Sequence, residues 1–253
     1  MSSKVDSLYE PRIAIARQAV AAAPIVRRML ARNIDEQIFE RFFIEYCSLG
    51  VQMTEPVEGW IARAGARCVE AGLHGIGEQL QDHARHEADH HLMFIADTAN
   101  LVRAYNGRYG VDLSPDALIN RPPTSAMVRY IDLHEQTIGS DLPAGQVAIE
   151  LEIERLSVVL VPDLLAQCKR VLGQKTLDSL SFLSSHAALD IGHTHLNTRL
   201  MEDVLSVQPD AADALVRIGG EALAIYMAFF EECLNAAEAE CMTSAEYVSE
   251  RAP

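Results

Sequence analysis

The stretch "DHARHEADHH", residues 82–91, places four histidines and one glutamate between His83 and His91. A run like this is either a solvated polar helix face or part of a metal site. The residues on either side carry helical periodicity, and the spacing predicts one long helix from about 76 to 106 that stops at the turn cluster "YNGRYG". On such a helix Glu87 and His90, three apart, lie on neighbouring lines of one face, with His83 and His91 flanking it. An acid-x-x-His pair lets a carboxylate and an imidazole hold one metal together, although alone it is a weak signal.

The rest of the chain reads the same way. Alternating β-branched or aromatic runs are missing, whereas apolar residues recur at helical spacing throughout. Helices are expected over about 12–31 with an interruption near Pro24, 34–54 with Asn33 as N-cap, and 56–71 opened by Pro56. Further helices are expected over about 125–138, 145–172, 175–205 and 209–240, with a loop over 107–123 that holds one short helix. No linker is long and polar enough to mark a boundary, so residues 1–253 are read as a single domain, with 1–33 as an N-terminal extension packed on it. The fold class is all-α, a bundle of about seven core helices.

Hydrophobic residues make up 49% of the chain, enough for a sizeable core, and net charge is −15. That balance disfavours nucleic acid or an anionic membrane surface as partner, since both reward clustered Lys and Arg. No apolar run reaches the about 18 residues of a membrane span. The N-terminus lacks a hydrophobic signal core. Cys47, Cys68, Cys168, Cys233 and Cys241 are odd in number, scattered and without a CxxC pair, so they read as reduced packing residues of a cytoplasmic protein. Haem-attachment and iron–sulfur cysteine patterns are missing, as are Rossmann and P-loop glycine signatures.

A second histidine-rich stretch, "SSHAALDIGHTHLN", spans 184–197 and sets His186, Asp190 and His193 at i, i+4 and i+7. That is one stripe of one helix, flanked by Leu183, Leu189 and Leu196. Two imidazoles and a carboxylate on one face suit Fe, Mn or Zn. The two stretches together hold seven of the nine histidines, which scatter would rarely produce. Two more carboxylates join the pattern. Glu45 shares its face with Ile38, Phe42 and Leu49, where a charge is costly unless it is ion-paired or bound to metal. "IELEIERLS", 149–157, offers Glu150 and Glu154 on one face and Glu152 off it. The order Glu45, Glu87-x2-His90, Glu154 (or Glu150), Asp190-x2-His193 follows the logic of dinuclear carboxylate sites in helical bundles, with His186 as a surplus ligand.

With those residues in view, the sequence resembles the haem-oxygenase-like di-iron oxidases, often described as iron-containing redox enzymes. The likeness runs from about residue 34 to 240, and the H-x3-D-x2-H is its most specific part. The resemblance implies Glu87, His90, Glu154, His186, Asp190 and His193 as iron ligands, with Glu45 the carboxylate of the first core helix. Glu55 and Glu58 are rivals to Glu45, His91 to His90 and Glu150 to Glu154. His83 and His86 take no role from the resemblance. It further implies two Fe(II) per chain, activation of O2, and a small organic substrate of the amine, amino-acid or fatty-acid class.

Two other classes fit parts of the pattern. A non-catalytic, ferritin-like iron-binding protein would use the same ligand order. A small-molecule hydrolase or haem binder on the same architecture is a third class; a haem protein would take one of these histidines as axial ligand and leave the acid partners unexplained. The apolar stretch "GGEALAIYMAFFEECL", 219–234, is expected to cover either the core or the interface of a homodimer.

Overall fold

The structure is a computed structural model and describes residues 3–249. Among these residues there are helices and connecting turns but no strand. One π-type turn at Val5–Tyr9 leads into α1 (Glu10–Ala21) and α2 (Pro24–Met29), which lie on the bundle. The core helices are α3 (Glu36–Thr54), α4 (Val57–Glu70), α5 (His74–His86), α6 (His91–Tyr109), α8 (Ser125–Gly139), α9 (Gln146–Leu172), α11 (Ser181–Val207) and α12 (Ala212–Ser249). Two short pieces, α7 (Pro115–Ile119) and α10 (Gln174–Leu177), bridge longer ones. α9 packs along α11, α4 along α5, and α3 between α6 and α12.

Local chemistry sets the ends. Asp35 caps α3 by accepting from the Ile38 N–H, two residues later than the expected cap at Asn33. α6 stops at Gly110, whose φ of +67° ends the helix in the left-handed region. α4 and α5 come close because neither carries a side chain at the crossing. A Cβ on Gly65 would meet the Gly77 carbonyl oxygen at 2.7 Å, and one on Gly77 would meet the Gly65 oxygen at 2.5 Å. The core is aromatic around α3: Phe39, Phe42, Phe43 and Tyr46 pack against one another, and Phe94, Phe229 and Phe230 join them. Ile225, Phe229 and Phe230 are buried, so the apolar stretch of α12 is covered from within the chain.

Two expected helices are broken. The one predicted over 76–106 divides into α5 and α6 around Glu87–His90, where Asp89 takes a φ of +65°. No proline or glycine announces this turn. An aspartate is among the few side chains that tolerate the left-handed region, and helical periodicity does not register one. The helix predicted over 175–205 likewise begins as α10 and restarts at Ser181. There Asp97 of α6 accepts from the Ser181 and Phe182 N–H groups and the Ser181 hydroxyl, supplying from another helix the cap that the local sequence lacks.

The N-terminal segment is tied down by charge. Glu152 on α9 is fully buried and receives Arg17 at 2.6 Å and the Tyr9 hydroxyl at 3.1 Å. Arg155 and Arg17 share Glu10. Glu152, off the face of Glu150 and Glu154, therefore serves the extension.

Candidate metal centre

α5, the 87–90 turn, α9 and α11 converge on one point inside the bundle. His83 sits on the last turn of α5 and is fully buried. Its Nε2 lies 3.4 Å from Glu87 Oε1 and 3.2 Å from Glu154 Oε1. His193 on α11 brings Nδ1 to 3.1 Å from Glu87 Oε1 and 3.7 Å from Glu154 Oε1. On the other side of Glu87, His90 Nδ1 lies 2.8 Å from Oε2, and His186 Nε2 lies 3.1 Å from His90 Nδ1. Two metal-capable groups result: His83, Glu87, Glu154 and His193, with ligand atoms all within 4.8 Å of one another, and Glu87, His90 and His186, equally close. Glu87 belongs to both.

The helix break makes this geometry. The turn at Asp89 folds His90 back onto the carboxylate three residues earlier, so one oxygen of Glu87 faces α5 and α11 while the other faces His90. Backbone held in a sparsely populated region is a cost that recurs at functional sites.

Neighbouring residues orient the donors. Asn197 Nδ2 donates to Glu154 Oε2 at 2.7 Å, leaving Oε1 toward His83. His186 Nδ1 lies 2.9 Å from the Phe182 carbonyl oxygen, a contact that makes Nδ1 the protonated nitrogen and frees Nε2. Phe182 stacks on the His186 ring, and Phe94 stacks on Phe182. Phe94 in turn sits where a Cβ on Gly50 would lie 2.9 Å from its ring.

The donor chemistry fits a divalent metal. Both nitrogens of the buried His83 and Nδ1 of His193 lack an aligned hydrogen bond, although carboxylate oxygens stand close by. Burial alone would push His83 down, but Glu154 and Glu87 override it and lift it to about 10. Burial would raise Glu87, yet His193, His83 and His90 pull it below the usual carboxylate range. Burial pushes Asp190 up to about 7 and His186 down to about 4. The cluster thus holds protons as its positive charge, and protons on imidazoles are what an incoming metal displaces.

The sequence-predicted residues divide accordingly. Glu87, His90, Glu154, His186 and His193 come together. Asp190 lies beside them, Oδ1 at 3.9 Å from His193 Nδ1, within neither group. Glu45 is elsewhere: it is fully buried between Arg41, 2.7 Å away, and Arg121. Its apolar stripe did signal a compensated charge, and the compensation is an ion pair. Glu55 and Glu58 are exposed. His91 opens α6 outside both groups, and so does Glu150 on α9. The residue that sequence reasoning passed over is His83. Its signal was available, since Glu87 is its i+4 neighbour on one helix face, whereas His86, next to Glu87 in the chain, is exposed.

A cavity of about 100 Å³ opens beside the centre, bordered by Glu87, Glu154, His186 and Asp190 on the donor side. Ile153, Leu160, Val161 and Phe230 form part of its apolar wall.

No protein-family profile matches the chain, and no curated protein matches its sequence. Solved structures do match in shape. A domain of unknown function with a haem-oxygenase-like fold from Shewanella denitrificans superposes with a TM-score of 0.72 at 16% identity, covering 90% of this chain and 91% of that one. A TenA homolog from Pseudomonas syringae pv. tomato gives 0.69 at 15% identity, covering 92% and 93%. A CADD-like protein of unknown function from Nostoc punctiforme gives 0.58 at 14% identity, covering 89% and 98%. At such identities the likeness speaks for architecture alone, and the architecture of this chain is the haem-oxygenase-like fold.

Proposed function

We propose that this protein is a non-haem di-iron oxidase or oxygenase that uses O2 to oxidise a small organic substrate. One observation carries the reading: Glu87 is shared by two donor groups, with Oε1 toward His83 and His193 and Oε2 toward His90. A carboxylate placed between two imidazole-rich groups is suited to bridging two ions. His83, Glu154 and His193 would hold one and His90 and His186 the other, with Asp190 near enough to His193 to join them. Two ferrous ions held there would supply two electrons and open positions for O2, the remaining two electrons coming from the substrate or an external reductase.

The chain's own residues do the rest. Asn197 and the Phe182 carbonyl fix the orientation of Glu154 and His186. Leucine, valine and phenylalanine side chains around the cavity exclude bulk water. Four imidazoles in the two groups favour a reactive centre over plain iron storage.

The test is an anaerobic Fe(II) titration followed by exposure to O2 with rapid-scan absorbance. About two irons per chain, a transient visible band, and loss of that band with about one iron left in His186→Ala support the reading. Iron uptake without O2 consumption would favour a ferritin-like store. A chain that takes up no iron would end the proposal.

A further inference from the structure

The cavity beside the centre contains one acid that the metal reading leaves without a task. Glu150 lines it, is 7% exposed, and belongs to neither donor group. The other buried glutamates among the described residues have cationic partners. Glu40 faces Arg108, Glu45 faces Arg41, Glu152 faces Arg17, and Glu154 faces His83. Glu150 has a neutral one: its Oε1 accepts from Gln146 Nε2 at 2.5 Å. His83, whose charge acts on Glu150, is already in contact with both Glu87 and Glu154. Burial lifts the Glu150 acid to about 8, since a buried carboxylate is costly until a cation compensates it, and here the open side is a cavity.

The carboxylate is also held in place. The Gln146 side chain lies against His134 Nδ1, and the His134 ring stacks on Trp60 with centroids 4.0 Å apart. Glu150 is thus presented to the cavity by a buried chain of fixed groups rather than by a free side chain. Among the described residues no lysine or arginine lines that cavity. A carboxylate on a substrate would therefore enter among Glu87, Glu150, Glu154 and Asp190 without a protein cation to receive it.

We propose that Glu150 selects a small apolar amine as the substrate of this site, its carboxylate taking the ammonium group while the aliphatic and aromatic wall takes the hydrocarbon. As a statement about substrate it rests on the di-iron reading; as a statement about binding it does not need the metal. The cavity volume is below the roughly 150 Å³ that encloses a benzene in an apolar protein cavity, so the ligand is small.

Saturation-transfer NMR with 1-butylamine, 1-butanol and butyrate on metal-free protein tests it, with Zn(II)-loaded protein kept alongside for melting. The amine is expected to bind at least about tenfold tighter than the alcohol or the acid, and Glu150→Gln is expected to remove that preference. Equal binding of butanol or butyrate, no binding of butylamine, or a preference that survives the substitution would overturn it. Should Glu150→Gln not fold, the three-ligand comparison on the native protein decides. The Zn(II)-induced rise in melting temperature is read in those loaded samples. Amine preference without that rise would count against the metal centre and leave Glu150 standing; the rise without amine preference would do the reverse.

Discussion

Glu45 separates two readings of this protein, and replacing it with glutamine tests them. By sequence it is the first carboxylate of the metal site. By structure it is a fully buried anion clasped by Arg41 at 2.7 Å and by Arg121. In Glu45→Gln the shape is kept and the charge removed. Arg41 is 5% exposed at its side chain and Arg121 26%. Arg121 can regain water; Arg41 cannot. Removing one partner of a buried pair typically costs about 3–5 kcal/mol, because the remaining charge is left uncompensated. With one of the two arginines able to resolvate, the lower end, about 3 kcal/mol, is expected.

In a chain of this size each kcal/mol moves the melting temperature by about 2–4 °C, so a fall of about 6–12 °C follows. Differential scanning calorimetry of the metal-free protein reads it, and metal analysis of the loaded, folded variant reads the rest: iron content should equal that of the native protein. Unchanged stability together with the loss of iron would refute the reasoning and return Glu45 to the metal site. Loss of both would mean that the variant had not folded, and an Arg41→Met, Glu45→Leu double variant, which removes the buried pair together, would then carry the test.

The shared position of Glu87 predicts that Glu87→Gln empties both groups, whereas His83→Gln leaves about one iron per chain bound through the His90 and His186 side; metal analysis after desalting distinguishes them. Gly50→Ala drives a methyl into the Phe94 ring, so about 1–3 kcal/mol of overpacking is expected in urea melts, with a shifted His186 environment visible by NMR. Burial pushes His134 down to about 3, partly opposed by Gln146. Because the folded chain keeps it neutral while the unfolded chain protonates near its ordinary value, stability falls with pH from about 6.5 to about 3. The slope approaches about 1.4 kcal/mol per unit. In His134→Gln that contribution disappears, and a slope unchanged from the native protein would sink the assignment.

The helical class, the chain order of the bundle and most of the donor set could be read from spacing alone. His186, Asp190 and His193 share a stripe whatever the tertiary contacts are, because a helix of 3.6 residues per turn places i, i+4 and i+7 together. The acid-x-x-His at Glu87 was legible for the same reason. Glu45 was correctly read as needing compensation, but apolar neighbours report that a charge is buried and not what neutralises it. Leu189, flanking the histidine stripe, is 45% exposed, so its apolar character did not mark a packed face.

Residue spacing thus settles the periodicity: which residues share a helix face, and that buried acids need buried positive charge to balance them. Which faces meet is settled by packing. The αL turn at Asp89 costs backbone energy locally and forms where packing of α5, α6 and α11 stabilises it, so no local propensity foretells it. That turn sets His90 against one oxygen of Glu87 while His83 and His193 face the other. Arg41, four residues before Glu45 on the same helix, was within reach of spacing, but long-range proximity added Arg121 and left Glu150 facing a cavity, because partners far apart in the chain, such as Arg17 and Glu152, are set by the docking of helices and not by spacing along one of them.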